Sequence, residues 1–197
     1  MARKENLEYA IVLGDGGSLA IGFELGYLSG LSEKGIDIRN AELVIGTSGG
    51  AQAGTSIASN QSWDEIYDNQ IAPKSDEAPP VDDMTEIFKR YKEIEESSNT
   101  PKEWIKNYSL YALEDHKFNE MVHINRLKNR IQVTEWPESL MITAVNANKA
   151  ERVALTKEDH VDLHRAMASS GSLPGVWPET TSNLSLIHIC SCRRLHT

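Results

Sequence analysis

Ahead of residue 190 the chain has no cysteine; Cys190 and Cys192 both stand among its last eight residues. Such a body offers nothing for disulfides, thiolate metal ligands or a thiol nucleophile. Basic clusters are equally scarce. The 197 residues carry a net charge of -9, and no Lys/Arg run is dense enough to track phosphates, which excludes nucleic acid as a partner. The same balance argues against simple electrostatic docking to an anionic membrane. Long apolar runs are missing too. No segment approaches the roughly 18 apolar residues of a membrane span, and Met1–Glu8 has no apolar stretch behind its positive charges, unlike a secretory signal. These absences make a cytoplasmic soluble protein the expectation, with transient contact at a membrane surface left open. What is present, 40% hydrophobic and 25% charged residues, suits one globular α/β domain.

The end of the chain reads differently from the rest. Leu184-Ser185-Leu186-Ile187-His188-Ile189 is the translation of the transposon end used in sequencing libraries, and Cys192-Arg193-Arg194 resembles the adapter that continues it. Residues 184–197 are therefore expected to be a non-native tail that adds little to the core, with the domain spanning residues 1–183. That domain holds 18 basic and 29 acidic residues, a net charge of -11. The alternative is a short native β-strand with a basic end.

Tyr9-Ala10-Ile11-Val12-Leu13 is a short apolar run ending at Gly14-Asp15-Gly16-Gly17, as a buried parallel strand would. A helix is expected from about Leu19 to Lys34, closed by Gly35, with Ile21, Leu25, Leu28 and Leu31 as its apolar stripe. Gly22, Gly26 and Gly30 recur along another side and suggest close backbone packing against the small face of the next helix, Gly50, Ala53, Gly54 and Ala58. Between the two helices, Leu43-Val44-Ile45 reads as a second strand. Ser62-Trp63-Asp64-Glu65 and Thr100-Pro101-Lys102-Glu103 are capping boxes opening helices. Residues 73 to 100 are rich in Asp, Glu, Pro and Ser and carry the stripe Met84, Ile87, Phe88, Tyr91; they read as an insertion, either a lid or a solvated helical layer. Residues 140 to 145 resume the sheet, Val153-Ala154-Leu155 pairs back on them, and a last helix runs near Val161 to Ser170.

Gly46-Thr47-Ser48-Gly49-Gly50 fits the Gly-x-Ser-x-Gly elbow and lies between a strand and a helix, where that pattern belongs. Ser48 must project from a strained turn, and Gly46 and Gly50 remove β-carbons that would clash there. The helix N-terminus offers free amides and a positive dipole end to a developing oxyanion. The loop after the first strand emerges on the same sheet edge, so the amides of Gly16, Gly17 and Gly49 can converge on one oxyanion hole. A rival reading makes that loop a dinucleotide fingerprint, with Asp37 as ribose partner, but Leu19 stands where its third glycine belongs.

A glycine loop, a glycine-spaced helix and an elbow serine, followed by Met167-Ala168-Ser169-Ser170-Gly171-Ser172-Leu173-Pro174-Gly175-Val176-Trp177-Pro178, are together similar to the patatin-like phospholipase family. That resemblance implies a three-layer α/β/α domain with a mostly parallel sheet and a helical insertion. It also implies hydrolysis of lipid acyl esters, in phospholipids or lysophospholipids, by a Ser-Asp dyad in which the aspartate is base, with no cofactor and no metal. Two departures stand out. Leu19 and Ala20 occupy the neighbourhood where many bacterial members carry an arginine that can meet a phosphate, so a neutral ester is an open alternative. The family's aspartate belongs to an Asp-Gly-Gly or Asp-Gly-Ala motif after the proline-rich stretch; the only Asp-Gly here is Asp15-Gly16, and the chain as written is expected to lack its base and to be a poor catalyst. An ordinary α/β-hydrolase would need a histidine, and His116, His123, His160 and His164 read as surface residues. A non-catalytic lipid-binding relative is the remaining alternative.

Overall fold

The computed structural model describes residues 8–73, 81, 83–114, 119–182 and 185–188. Strand β1 (Ala10–Leu13) leads through the glycine loop into α1 (Gly17–Glu33), which returns the chain to β2 (Leu43–Gly46), parallel to β1 with Leu13 opposite Gly46. Helix α1 buries Ile21, Leu25 and Leu28, and it stops at Gly35, whose φ of 84° only glycine adopts cheaply. Beyond β2 come α2 (Gly49–Ala58) and α3 (Trp63–Ile71). The Ser62 capping box forms in full, its hydroxyl accepting from the Glu65 amide and the Glu65 carboxylate from the Ser62 amide. After α4 (Thr85–Glu96), α5 (Pro101–Ala112) starts with Pro101 in its first turn and Thr100 Oγ1 accepting from the Glu103 amide. The Glu103 carboxylate reaches past its expected partner to the Asn99 amide. Then follow α6 (Glu120–Arg130), the hairpin β3 (Leu140–Asn146) and β4 (Glu151–Leu155), α7 (Leu163–Gly171), β5 (Thr180–Thr181) and β6 (Ser185–Ile187). Among the described residues no helix is long and apolar enough to cross a membrane.

The sheet order is β1-β2-β3-β6-β5, with β4 also on β3. Its parallel part is β1-β2-β3; β4, β6 and β5 join antiparallel. Ile142 pairs with both Gly46 and Leu155, and Val145 with both Arg152 and Ile187, so β4 holds one edge of β3 and β2 and β6 share the other in succession. That succession puts β6 just past the C-terminal end of β2, beside the turn that carries Ser48.

Helices flank this central sheet. The main core joins Leu13, Val44, Leu140, Ile142 and Leu186 of the strands to Ile21, Leu25, Ala53, Ile57 and Met167 of the helices. Val145 and Ile187 point the other way, onto Ile94, Tyr108 and Ala112 of α4 and α5. The alternation of strand side chains produces this division, since residues two apart share a face.

Three sequence expectations are corrected. Gly22, Gly26 and Gly30 do not pack closely on anything: a β-carbon at each would meet open space. The small residues of α2 do pack tightly, but on the strands, where a β-carbon at Gly54 would touch Val44, Leu140 and Leu13. Residues 185–188 of the expected tail are not idle either. Leu186 and Ile187 are 0% and 1% exposed, and the Ala147 amide donates to the Ser185 carbonyl at 2.8 Å. Residues 183, 184 and 189–197 lie outside the described residues. Finally, His123 and His164 are buried rather than at the surface, His164 with Nε2 at 2.8 Å from the Ile131 carbonyl. His160 is exposed, as expected, and His116 lies outside the described residues.

Candidate active site

Ser48 sits between β2 and α2 with φ 54° and ψ -114°, a conformation a residue with a β-carbon adopts only under constraint. The constraint comes from every side. The Thr47 amide donates to the Leu13 carbonyl at 3.1 Å and the Gly50 amide to the Gly14 carbonyl at 2.8 Å, tying the turn to the end of β1. From the other side, the Ser48 amide donates to Ser170 Oγ at 2.8 Å, and Ser170 Oγ donates to the Thr143 carbonyl at 2.7 Å. Thr47 and Thr143 hydroxyls meet at 2.7 Å. A β-carbon at Gly46 would fall 2.5 Å from Ala51 Cα, and one at Gly50 would overlap the Leu13 carbonyl, so neither position has room for alanine.

The glycine loop approaches the same turn. Gly16 (φ 135°) and Gly17 (φ 60°) bend the chain into α1, and a β-carbon at Gly49 would lie 2.8 Å from the Gly17 carbonyl oxygen and 3.2 Å from its nitrogen. Gly17 opens α1 and Gly49 opens α2, so two helix N-termini abut beside Ser48. First-turn amides have no intrahelical acceptor, and both dipoles present their positive ends here. Ser48 Oγ has no hydrogen-bond partner among the described residues, so no base is engaged with it.

Glu24 braces the loop from behind. Its Oε1 accepts from the Gly14 amide at 2.8 Å, and its Oε2 is buried without a partner among the described residues. Burial first, then the neighbouring Asp15 charge, hold its pKa above the usual carboxylate value, against the lowering effect of the Gly14 amide. A pKa raised on folding means the protonated acid is the form the fold favours. Its stabilisation is complete below the unfolded value of 4.5 and is lost as pH rises through the folded one. Glu24→Gln keeps an acceptor for Gly14. It is expected to raise the melting temperature relative to the parent near pH 8, with the gain shrinking towards about pH 4. A gain independent of pH would remove the assignment.

Ser48 opens into a cavity of about 590 Å³. Asp15, Gly16, Gly17 and His188 line it near the turn; Leu173, Val176 and Trp177 come from the proline-rich stretch; and Phe88, Tyr91, Glu95, Trp104 and Tyr108 come from α4 and α5. The acidic insertion is thus a cap on the cavity and not only a solvated layer. Two tyrosines pin it there: Tyr91 Oη donates to the Pro174 carbonyl at 2.6 Å, and Tyr111 Oη packs where a side chain at Gly175 would stand. Trp177 stacks on His123 at 4.3 Å. Burial, aided by Arg126, pushes the His123 pKa down to about 3, which leaves the ring neutral behind Trp177.

The structure places Gly46, Ser48, Gly49 and Gly50 at one turn and brings Gly16 and Gly17 against it. Asp37, the ribose partner of the dinucleotide reading, is instead spent on Arg39, which it holds at 2.6 Å. Sequence reasoning missed Ser170, Thr143 and Glu24, although Ser170 lies within the Ala168-Ser169-Ser170 stretch already singled out. It also set His188 aside with the tail. His188 Nδ1 donates to the Ser170 carbonyl at 2.7 Å and Nε2 lies 3.7 Å from Asp15 Oδ2.

The family model of patatin-like phospholipases matches residues 11–185, and the chain belongs to that family. Its members are lipid acyl hydrolases, which places this protein among the hydrolases of lipid metabolism. The comparison with curated proteins finds no match.

Proposed function

We propose that Ser48 is the nucleophile of a lipid acyl-ester hydrolase and that the amides of Gly17 and Gly49, with Gly16 shaping the loop, form its oxyanion hole. In this reading Ser48 Oγ attacks the ester carbonyl, the carbonyl oxygen takes the negative charge against the two helix N-termini, and the alcohol leaves. Water then releases the acyl group from Ser48. The observation that carries the reading is the strained Ser48 at abutting helix N-termini, facing a largely apolar cavity. A lipid-binding protein without turnover needs the cavity but has no use for that strain.

The base of the dyad is not supplied by any described group in contact with Ser48 Oγ. His188 is near, but its two ring nitrogens face Ser170 and Asp15 and neither addresses Ser48. A serine hydroxyl without a positioned base is a weak nucleophile, so slow turnover by the chain as written is part of this proposal. Phe88 at the cavity and Leu19 after the glycine loop are 60% and 85% exposed, and they are the contacts we assign to a transient membrane-surface encounter.

A fluorophosphonate probe tests the reading: labelling at Ser48 supports an enzyme, and lipid binding with no labelling supports a binding module. The loop has its own test. A side chain at Gly16 would lie 2.8 Å from Ala20 Cβ, so Gly16→Val must move the loop. Loss of one oxyanion donor is expected to lower turnover roughly 10² to 10³-fold. A raised Michaelis constant with unchanged turnover would make the loop a binding element instead.

A further inference from the structure

Ser169, Ser170 and Ser172 are all 0% exposed, and a buried hydroxyl needs partners. Two of the three find a first partner in their own helix: Ser169 Oγ donates to the Ala166 carbonyl at 2.7 Å, and Ser172 Oγ to the Ala168 carbonyl at 2.8 Å. Ser170 reaches outside. Its Oγ donates to the Thr143 carbonyl on β3 at 2.7 Å and accepts from the Ser48 amide at 2.8 Å. A hydroxyl carries one proton, and with that proton committed to Thr143 the lone pairs are what the Ser48 amide meets. The backbone of Ser170 is held as well, since its carbonyl accepts from His188 Nδ1 at 2.7 Å.

These bonds act on the peptide that leads into Ser48. The Thr47–Ser48 peptide is tied at both polar ends, its carbonyl accepting from the Gly50 amide at 2.9 Å and its N–H donating to Ser170. A peptide unit is planar, so two fixed ends fix the plane from which Ser48 departs. Ser48 itself holds φ 54°, a conformation that persists only where the surroundings over-determine it. We infer that Ser170 is a positioning residue for Ser48, given the acyl-hydrolase reading on which this rests: its oxygen sets the turn from which the nucleophile attacks. Without that oxygen the Ser48 amide loses its acceptor, the peptide plane turns, and Ser48 Oγ shifts relative to the amides of Gly17 and Gly49. Misplacing a reacting atom by about 1 Å costs about 10²-fold in rate. Ser170 is not among the described residues lining the cavity, so its loss leaves the walls that hold a ligand in place.

The test uses the full 197-residue chain and an alkyl fluorophosphonate, with labelling of Ser48 followed over a range of probe concentrations. This separates the labelling rate at saturation from the half-saturating concentration. Ser170→Ala is expected to lower the saturating rate about 10²-fold and to leave the half-saturating concentration unchanged. Ser170→Cys keeps the size of the side chain with a weaker acceptor, and its rate should fall between those of Ser170→Ala and the parent. Ser169→Ala removes an equally buried hydroxyl that bonds only within its helix, and should label like the parent. A Ser170→Ala rate within about threefold of the parent, or a raised half-saturating concentration at unchanged saturating rate, would overturn the inference. So would a loss in Ser169→Ala as large as that in Ser170→Ala, which would mark a packing effect. If Ser170→Ala does not fold, Ser170→Cys decides, and a rate equal to the parent's overturns the assignment. A parent chain that does not label at Ser48 at all would remove the hydrolase reading itself, and this inference with it.

Discussion

Ser48→Ala is expected to abolish fluorophosphonate labelling and, in a chain that includes a dyad base, to lower ester turnover on the order of 10⁶-fold. In the proposed reading the oxyanion hole and substrate binding survive, and catalytic units stripped of their side chains sustain roughly 10³ to 10⁴ over water by these alone. Ser48→Gly should lose the chemistry equally but gain stability. At φ 54° a β-carbon is strained, and strain of this type costs about 1 to 3 kcal/mol. Glycine removes it where alanine does not. The Ser48→Gly variant should therefore melt several degrees above the Ser48→Ala variant, at about 2 to 4 °C per kcal/mol for a chain of this size. Equal melting temperatures would show that the turn stores no strain, and activity within tenfold of the parent would end the nucleophile assignment.

Ending the chain at Asn183 is expected to destabilise it by several kcal/mol. Burying Leu186 and Ile187 is worth about 1.5 to 3 kcal/mol each as an upper estimate, and the pairing of β6 with β3 and β5 goes with them. The melting temperature should fall on the order of 10 °C. The opened edge of β3 and the uncovered faces of Val145 and Met167 should also lower solubility. Comparing the melting temperatures of a chain ending at Asn183 and the full 197-residue chain decides between the two readings of this segment. An unchanged value would show that the tail is foreign to the fold, as its resemblance to a transposon end suggests. A large drop would show that it serves as a strand.

The sequence alone determined the local features of this protein. The Ser48 turn and the glycine loop were legible because their backbone geometry is set by residues next to one another, as were the Ser62 and Thr100 caps and the β3–β4 hairpin. A turn that forces positive φ, or a cap that satisfies the first amides of a helix, needs only a few adjacent side chains. Tertiary structure decided everything that depends on distant partners. Gly22, Gly26 and Gly30 have the spacing of a packing face, yet the opposite side of α1, with Ile21, Leu25 and Leu28, faces the core; hydrophobic burial outweighs the close approach that glycines permit. His123 and His164 lie in polar-looking sequence and are buried only because Trp177 and the Ile131 carbonyl are brought against them from elsewhere in the chain. Ser170 holds the Ser48 amide across 122 positions. The cap is a wall of the site because Tyr91 reaches Pro174, 83 positions away. A one-dimensional pattern records which residues are apolar or can hydrogen-bond, but which partner each one meets is set by how the sheet and helices close on one another.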